Sequence, residues 1–200
     1  ILKMCAPQSR LARQIARMGT PPLTKPDIRS EIGLNHSLHC ENIGEGILFA
    51  SIKDGRFKTN RISVHLVTEL KQETVTVNAL IPQILKDGFQ GCETFTKLGR
   101  KLEDLYGASI DADVQKRGDR QVLTVSITSI DDRYSLHGEE VNRQTAQILC
   151  DMLLHPLVEQ EGFSKAYTDL EKKLLADTID AEINEKRSYA LNRMIAAMYQ

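Results

Sequence analysis

Tryptophan is absent from this chain, and aromatic residues make up 5% of it. That poverty argues against the stacking platforms with which proteins hold single-stranded nucleic acid. Charge of neither sign dominates: 26 basic and 27 acidic residues leave a net charge of −1. No electrostatic case for nucleic acid or a membrane surface follows from such a balance. No apolar run approaches the ~20 residues that a membrane-spanning helix needs. Cys-x-x-Cys is also missing. The four cysteines, Cys5, Cys40, Cys92 and Cys150, are widely scattered, which fits reduced thiols in a cytoplasmic compartment better than a disulfide framework. Nucleophile elbow, Walker loop and glycine-rich dinucleotide turn are all lacking.

What remains is ordinary for a globular protein: 200 residues, 41% hydrophobic and 26% charged, enough for one domain or a large part of one. The chain begins with Ile1 and ends on Met198-Tyr199-Gln200 inside an apparent helix, so both ends are expected to be cut. Residues 1–44 read as a partly disordered extension, and 45–200 as the folded domain. Lys3, Arg10, Arg13, Arg17 and Lys25 precede the first acid, Asp27. An Arg-rich, acid-poor start suits an organellar transit peptide, but the usual serine richness is missing, which favours a plain extension.

Periodicity predicts the elements. Residues 46–52 and 61–69 read as a strand pair, joined by the turn signal Lys53-Asp54-Gly55-Arg56; Ile62, Val64 and Leu66 alternate on one face. A helix is expected over 76–87, with Val77, Leu80, Ile81, Ile84 and Leu85 at helical spacing and Gly88 as its terminator. Thr94 is a candidate N-cap for a second helix that turns Phe95, Leu98, Leu102 and Leu105 inward. Ile110, Ala112 and Val114 alternate on a strand that Lys116-Arg117-Gly118-Asp119 turns back into 122–130. Val141, Thr145, Ile148, Leu149, Met152 and Leu153 then share a helical face that stops near Pro156. A longer helix over 163–183 is expected to face Phe163, Tyr167, Leu170, Leu174 and Ile179 inward, and a last helix holds Tyr189, Met194 and Met198. Strands, helices, strands and again helices in this order predict an α+β fold, an antiparallel or mixed sheet packed against helices.

Candidate sites are few. His36, His39 and Cys40 supply three metal-ligating side chains, but at a spacing unsuited to a helical zinc site and with no distant partner pair, so surface positions are the simpler reading. His65 falls on the strand face opposite Ile62 and Val64 and is expected to meet solvent. His137 and His155 flank a helix, where capping is the default role. Lys165, Asp169, Glu171, Lys172 and Lys173 read as a solvated helix face.

One stretch says more. Asn78-Ala79-Leu80-Ile81-Pro82-Gln83-Ile84-Leu85-Lys86-Asp87-Gly88, followed by Leu105-Tyr106-Gly107-Ala108, resembles the pitrilysin/insulinase family of zinc metallopeptidases. The order of Arg56-Phe57-Lys58-Thr59, Lys116-Arg117-Gly118 and the run from Asn184 to Ala190 is similar to a bacterial branch of that family that has lost its zinc motif, the elongation-factor-P modification-associated type. The resemblance covers 45–200 and implies the N-terminal part of a pitrilysin-like domain, truncated at its C-terminus. In active relatives the first helix carries the inverted zinc motif H-x-x-E-H. Aligned on the helix end, its histidines fall at Ala79 and Gln83 and its glutamate at Pro82. The third ligand, counted from a pair resembling Glu171-Lys172, falls at Thr178, with Asp177 and Asp180 the nearest acids. Alanine has no donor atom, glutamine is a poor zinc ligand, and proline accepts no proton. Pro82 is expected in a first helical turn or at a kink. The resemblance thus implies a non-catalytic homologue with no bound metal or other cofactor. It would pair with a zinc-bearing paralogue to bind and process peptides, or else serve as a purely structural subunit.

Overall fold

The computed structural model describes residues 38–159 and 162–198. Its centre is a three-stranded antiparallel sheet. Strand β1, Leu38–Gly44, and β2, Ile47–Ile52, form a separate hairpin. Strand β3, Thr59–Glu69, lies beside β5, Arg120–Ile130, which also pairs with β4, Ser109–Arg117, in the order β3-β5-β4. The register stacks three apolar rows across this sheet: Ile62–Ile127–Ile110, Val64–Val125–Ala112 and Leu66–Leu123–Val114. Side chains two apart share a face, so the alternation that marks each strand in the sequence also builds one continuous apolar surface.

Helices cover that surface. Helix α1, Val75–Lys86, packs on β4 and β5; α2, Phe95–Asp104, follows it; α3, Val141–Leu154, packs on β5 and β3. The core closes between them, with Val141, Ile148 and Met152 wholly buried against Leu85, Val125 and Ile127. Thr94 caps α2, its side chain accepting from the Lys97 backbone N–H at 3.3 Å. The Leu-Tyr-Gly-Ala corner then reverses the chain into β4. Tyr106 and Gly107 both take positive φ, 59° and 71°, and the Gly107 and Ala108 N–H groups donate back to the Leu102 carbonyl, each at 3.1 Å. Tyr106 bears that backbone strain while its hydroxyl donates to Glu139 at 2.8 Å and accepts the Leu136 N–H. After α3 come two short strands, β6 (Val158–Glu159) and β7 (Gly162–Phe163), then α4, Lys165–Ala181, and α5, Lys186–Met198.

The fold is α+β with antiparallel sheets, as expected, but several details differ. Residues 47–52 do not pair with 59–69. They pair with 38–44, and 53–56 links two sheets instead of turning one hairpin. The 38–44 strand, His39-Cys40-Glu41-Asn42 at its heart, has no apolar alternation to announce it. Phe95, expected inward, is exposed, and so is Val77. Leu170, Leu174 and Ile179 are about half exposed or more, whereas the buried residue of α4 is Glu171. Phe163 belongs to β7 rather than to α4. Residues 1–37, which include the basic N-terminal stretch, Cys5 and His36, lie outside the described residues.

Candidate functional site

The positions that carry zinc chemistry in the resembled family lie on α1. Pro82 is the eighth residue of this helix, in its interior rather than its first turn, and its ring is fully buried. Having no N–H, it leaves the Asn78 carbonyl without its usual helical donor. The Asn78 side chain is buried too, donating to Gln121 at 3.4 Å, and Gln121 in turn donates to the Val75 carbonyl at 2.8 Å. A polar tie between β5 and the start of α1 thus stands behind the helix that proline interrupts.

Gln83 is fully engaged. Its Nε2 donates to the Ala112 carbonyl on β4 at 3.4 Å, and its Oε1 accepts from Lys86 Nζ at 3.0 Å. Both ends of the amide serve the join between α1 and the strand. Ala79, one turn earlier, is half-buried and offers a methyl group. Thr178 sits exposed on α4, where its hydroxyl donates to the Leu174 carbonyl at 2.8 Å. Asp177 and Asp180 are exposed as well. Helices α1 and α4 pack together, yet the residue that α4 sends into the joint is Glu171, seven positions before Thr178 and thus roughly 10 Å along the helix. The charged face predicted to be solvated is therefore interrupted at Glu171. Lys165, Asp169, Lys172 and Lys173 meet water, whereas Glu171 is buried.

A methyl, a proline ring, an engaged amide and a hydroxyl turned to its own helix do not fit zinc. None supplies the imidazole or carboxylate ligands, and none supplies a base for water. Among the described residues no group of three or more His, Cys, Asp or Glu side chains is placed to hold a metal ion. His39 and Cys40 lie on β1, with His39 3.8 Å from Glu41. Cys40 and Cys92 are free thiols. His65 is exposed on the outer sheet face, its two ring nitrogens in hydrogen bonds with Ser63 and Thr124 at 2.9 and 3.0 Å. His155 holds the C-cap position of α3 through its backbone N–H to Asp151, whereas His137 donates its backbone N–H to Glu139 and caps nothing.

The end of α1 is the feature that sequence reasoning missed. Asp87 is buried, and its Oδ2 has no hydrogen-bond partner. Burial raises its pKa to about 6, the neighbouring Glu171 carboxylate adds to the rise, and Lys86 opposes it. Gly88 follows, so tightly placed that a Cβ would stand 2.7 Å from the Cys92 carbonyl oxygen. The segment beyond is laced to the end of α3, with the Gln90 N–H on the His155 carbonyl at 2.8 Å and Phe89 bridged to Pro156.

No helix among the described residues is long and apolar enough to cross a membrane. No protein-family model matches the chain. Over 153 residues, 76% of its length, it is 28% identical to a protein of Bacillus subtilis (strain 168) described as the probable inactive metalloprotease YmfF. Its fold superposes on the crystal structure of a conserved protein from Enterococcus faecalis V583 with a TM-score of 0.71, at 24% identity over 76% of the chain. It spans 36% of the length of each of these two proteins. The chain is thus an α+β protein similar, over three quarters of its length, to a homologue of metalloproteases described as inactive.

Proposed function

We propose that this chain is part of a non-catalytic member of the pitrilysin/insulinase family, of the zinc-motif-lacking bacterial branch, that pairs in the cytoplasm with an active zinc-bearing paralogue to bind and process peptides. The observation that carries the reading is Gln83. The motif helix is kept and packed against the sheet, but the side chain standing where a histidine would reach for zinc ties α1 to β4 instead. The helix keeps its architectural task without the chemistry. The similarity to a probable inactive metalloprotease supports the same reading.

Two surfaces suit the pairing. The outer edges of β3 and β4 are unpaired among the described residues, and a strand edge of this kind accepts an extended peptide by main-chain hydrogen bonding. Helices α4 and α5 expose Leu170, Leu174, Ile179, Leu191, Met194 and Met198, an apolar stretch that favours a protein partner. The test is reconstitution: the protein is mixed with a zinc-motif paralogue from the same genome, and complex formation, peptide affinity and peptidase rate are followed. A complex that binds and cleaves peptides faster than the paralogue alone supports the reading. A complex with no effect on binding or rate leaves the purely structural subunit as the better account, and no complex at all overturns the pairing.

A further inference from the structure

The outer face of the sheet, turned away from the helices, carries a polar row. Arg61, Ser63 and His65 alternate on β3 and so share that face, with Thr124, Ser126 and Thr128 beside them on β5. Ser63 Oγ stands 2.9 Å from His65 Nε2, and His65 Nδ1 stands 3.0 Å from Thr124 Oγ1. The tautomer with its proton on Nδ1 satisfies both contacts: the ring donates to Thr124, and its Nε2 accepts from the Ser63 hydroxyl. Ser63 and His65 are exposed, so a solute can reach both. Arg61 extends the row. Its Nη2 donates to Ser126 Oγ at 2.9 Å, and Ser126 is the residue directly opposite Ser63 on β5. Among the described residues no carboxylate forms an ion pair with Arg61. The carboxylates of this face are on β4: Asp111 lies opposite Ser126, and Asp113, which accepts from Gln115 at 2.7 Å, lies opposite Thr124.

A serine hydroxyl is a weak nucleophile by itself. It becomes reactive when a base within hydrogen-bond reach takes its proton and a third group orients that base. Ser63, His65 and Thr124 meet both conditions, and the Arg61 guanidinium brings positive charge to the neighbouring position, where a developing oxyanion is stabilised. We propose that Ser63 is an activated nucleophile that accepts acyl groups from activated esters, with His65 as its base, Arg61 as the cation facing the oxyanion, and Thr124 as the residue that positions the imidazole. Ser63 Oγ bonds to the ester carbonyl carbon as its proton passes to His65 Nε2. The bond from that carbon to the leaving oxygen then breaks, and the proton on His65 passes to the leaving oxygen or to water. A water molecule that gives a proton to His65 attacks the acyl group, releases the carboxylic acid and restores the Ser63 hydroxyl. An exposed face does not exclude water, which confines the chemistry to esters whose leaving group departs readily. It needs no metal, and it stands apart from the pairing proposed above.

The intact protein is treated with p-nitrophenyl acetate in the presence of a chelator. An early burst of p-nitrophenolate, about one equivalent per chain, is expected. Peptide mapping by mass spectrometry should place the acetyl group on Ser63 at about tenfold or more its level on Ser188, a serine exposed on α5. Ser63→Ala and His65→Gln should each remove the burst and the adduct. Thr124→Val should slow the burst about tenfold, and Thr124→Ser, which keeps the hydroxyl, should restore it; a merely structural role for Thr124 would show no such rescue. Acetyl on Ser63 at no more than the Ser188 level overturns the proposal. So does a burst that survives Ser63→Ala, which would mean that the imidazole itself is acetylated, or a burst in Thr124→Val at the parent rate. Should His65→Gln fail to fold, the mapping on the unaltered protein and the Thr124 pair decide without it.

Discussion

The side-chain amide of Gln83 bridges to the backbone of Ala112, donating to its carbonyl at 3.4 Å from the helix that covers β4. Gln83 thus ties α1 to the edge strand. Gln83→Ala removes both the strand contact and the acceptor of Lys86. It is expected to cost about 1 kcal/mol of stability, read as a lower urea midpoint with the slope unchanged.

Zinc content gives a direct check on the site. With Ala79, Pro82, Gln83 and Thr178 at the motif positions, the purified protein is expected to carry no stoichiometric zinc and to cleave no unfolded peptide when zinc is added. Elemental analysis that finds about one tightly held zinc per chain, or peptidase activity that a chelator abolishes, would contradict this. Ala79→His, Pro82→Glu and Gln83→His together with Thr178→Glu is the smallest change that rebuilds the donor set on paper.

Pro82 separates two effects. Pro82→Ala restores the missing donor to the Asn78 carbonyl, a gain of about 3 kcal/mol on helix propensity alone. It also deletes about two buried methylene groups at about 0.8 kcal/mol each and frees the unfolded chain by about 0.4–1 kcal/mol. The two sides nearly cancel, so the variant should unfold within about 1 kcal/mol of the parent. Pro82→Glu places a carboxylate where the ring is wholly buried, and should cost about 3 kcal/mol or more. Comparing the two urea melts distinguishes a tolerated packing change from a buried charge.

Gly88 marks a close approach. A Cβ there meets the Cys92 carbonyl oxygen at 2.7 Å and Leu157 at 3.1 Å. The first is backbone and cannot swing aside. Gly88→Ala is expected to destabilise by about 1–3 kcal/mol, whereas Gly107, with nothing within 4 Å of its Cβ position, should show only the smaller penalty of its positive φ.

Asp131 predicts the acid limb of stability. Its carboxylate accepts from the Arg133 side chain at 2.8 Å, from the Arg133 N–H at 3.0 Å and from Asn60 at 3.1 Å. Those bonds, the Arg133 side chain foremost, hold its pKa down to about 2. A depressed carboxyl stabilises above its unfolded value of 3.8 and loses that contribution as pH falls towards about 2. Asp131→Asn should therefore flatten thermal stability between pH 4 and 2, opposite in sense to Asp87, whose raised pKa penalises the folded state at neutral pH.

The sheet was legible in the residues because Ile62-x-Val64-x-Leu66 and Ile110-x-Ala112-x-Val114 repeat at the strand period, and α3 because its apolar face is unbroken. The first hairpin was not, since β1 buries little and so carries no apolar signature. Helix α4 misled for the opposite reason. Leu170, Leu174 and Ile179 form an apolar stripe, but a stripe reports only that a face wants cover, not which neighbour supplies it. Glu171 was hidden by the rule that carboxylates stay in water, a rule broken here beside a second carboxylate. At the site, the residue identities at 79, 82, 83 and 178 were readable. The engagement of Gln83 with Lys86 and Ala112 required coordinates.

Pro82 also bears on how far this helix can be rebuilt. A surface position accepts a new charged group at little structural cost. Pro82 is instead part of the packed interior, and Gln83 beside it ties α1 to β4. Each substitution that would bring a zinc ligand or a base to these two positions therefore strands a charge in the core or cuts the helix loose from its strand. A metal site on α1 is reachable only if the packing between helix and sheet is redesigned together with it.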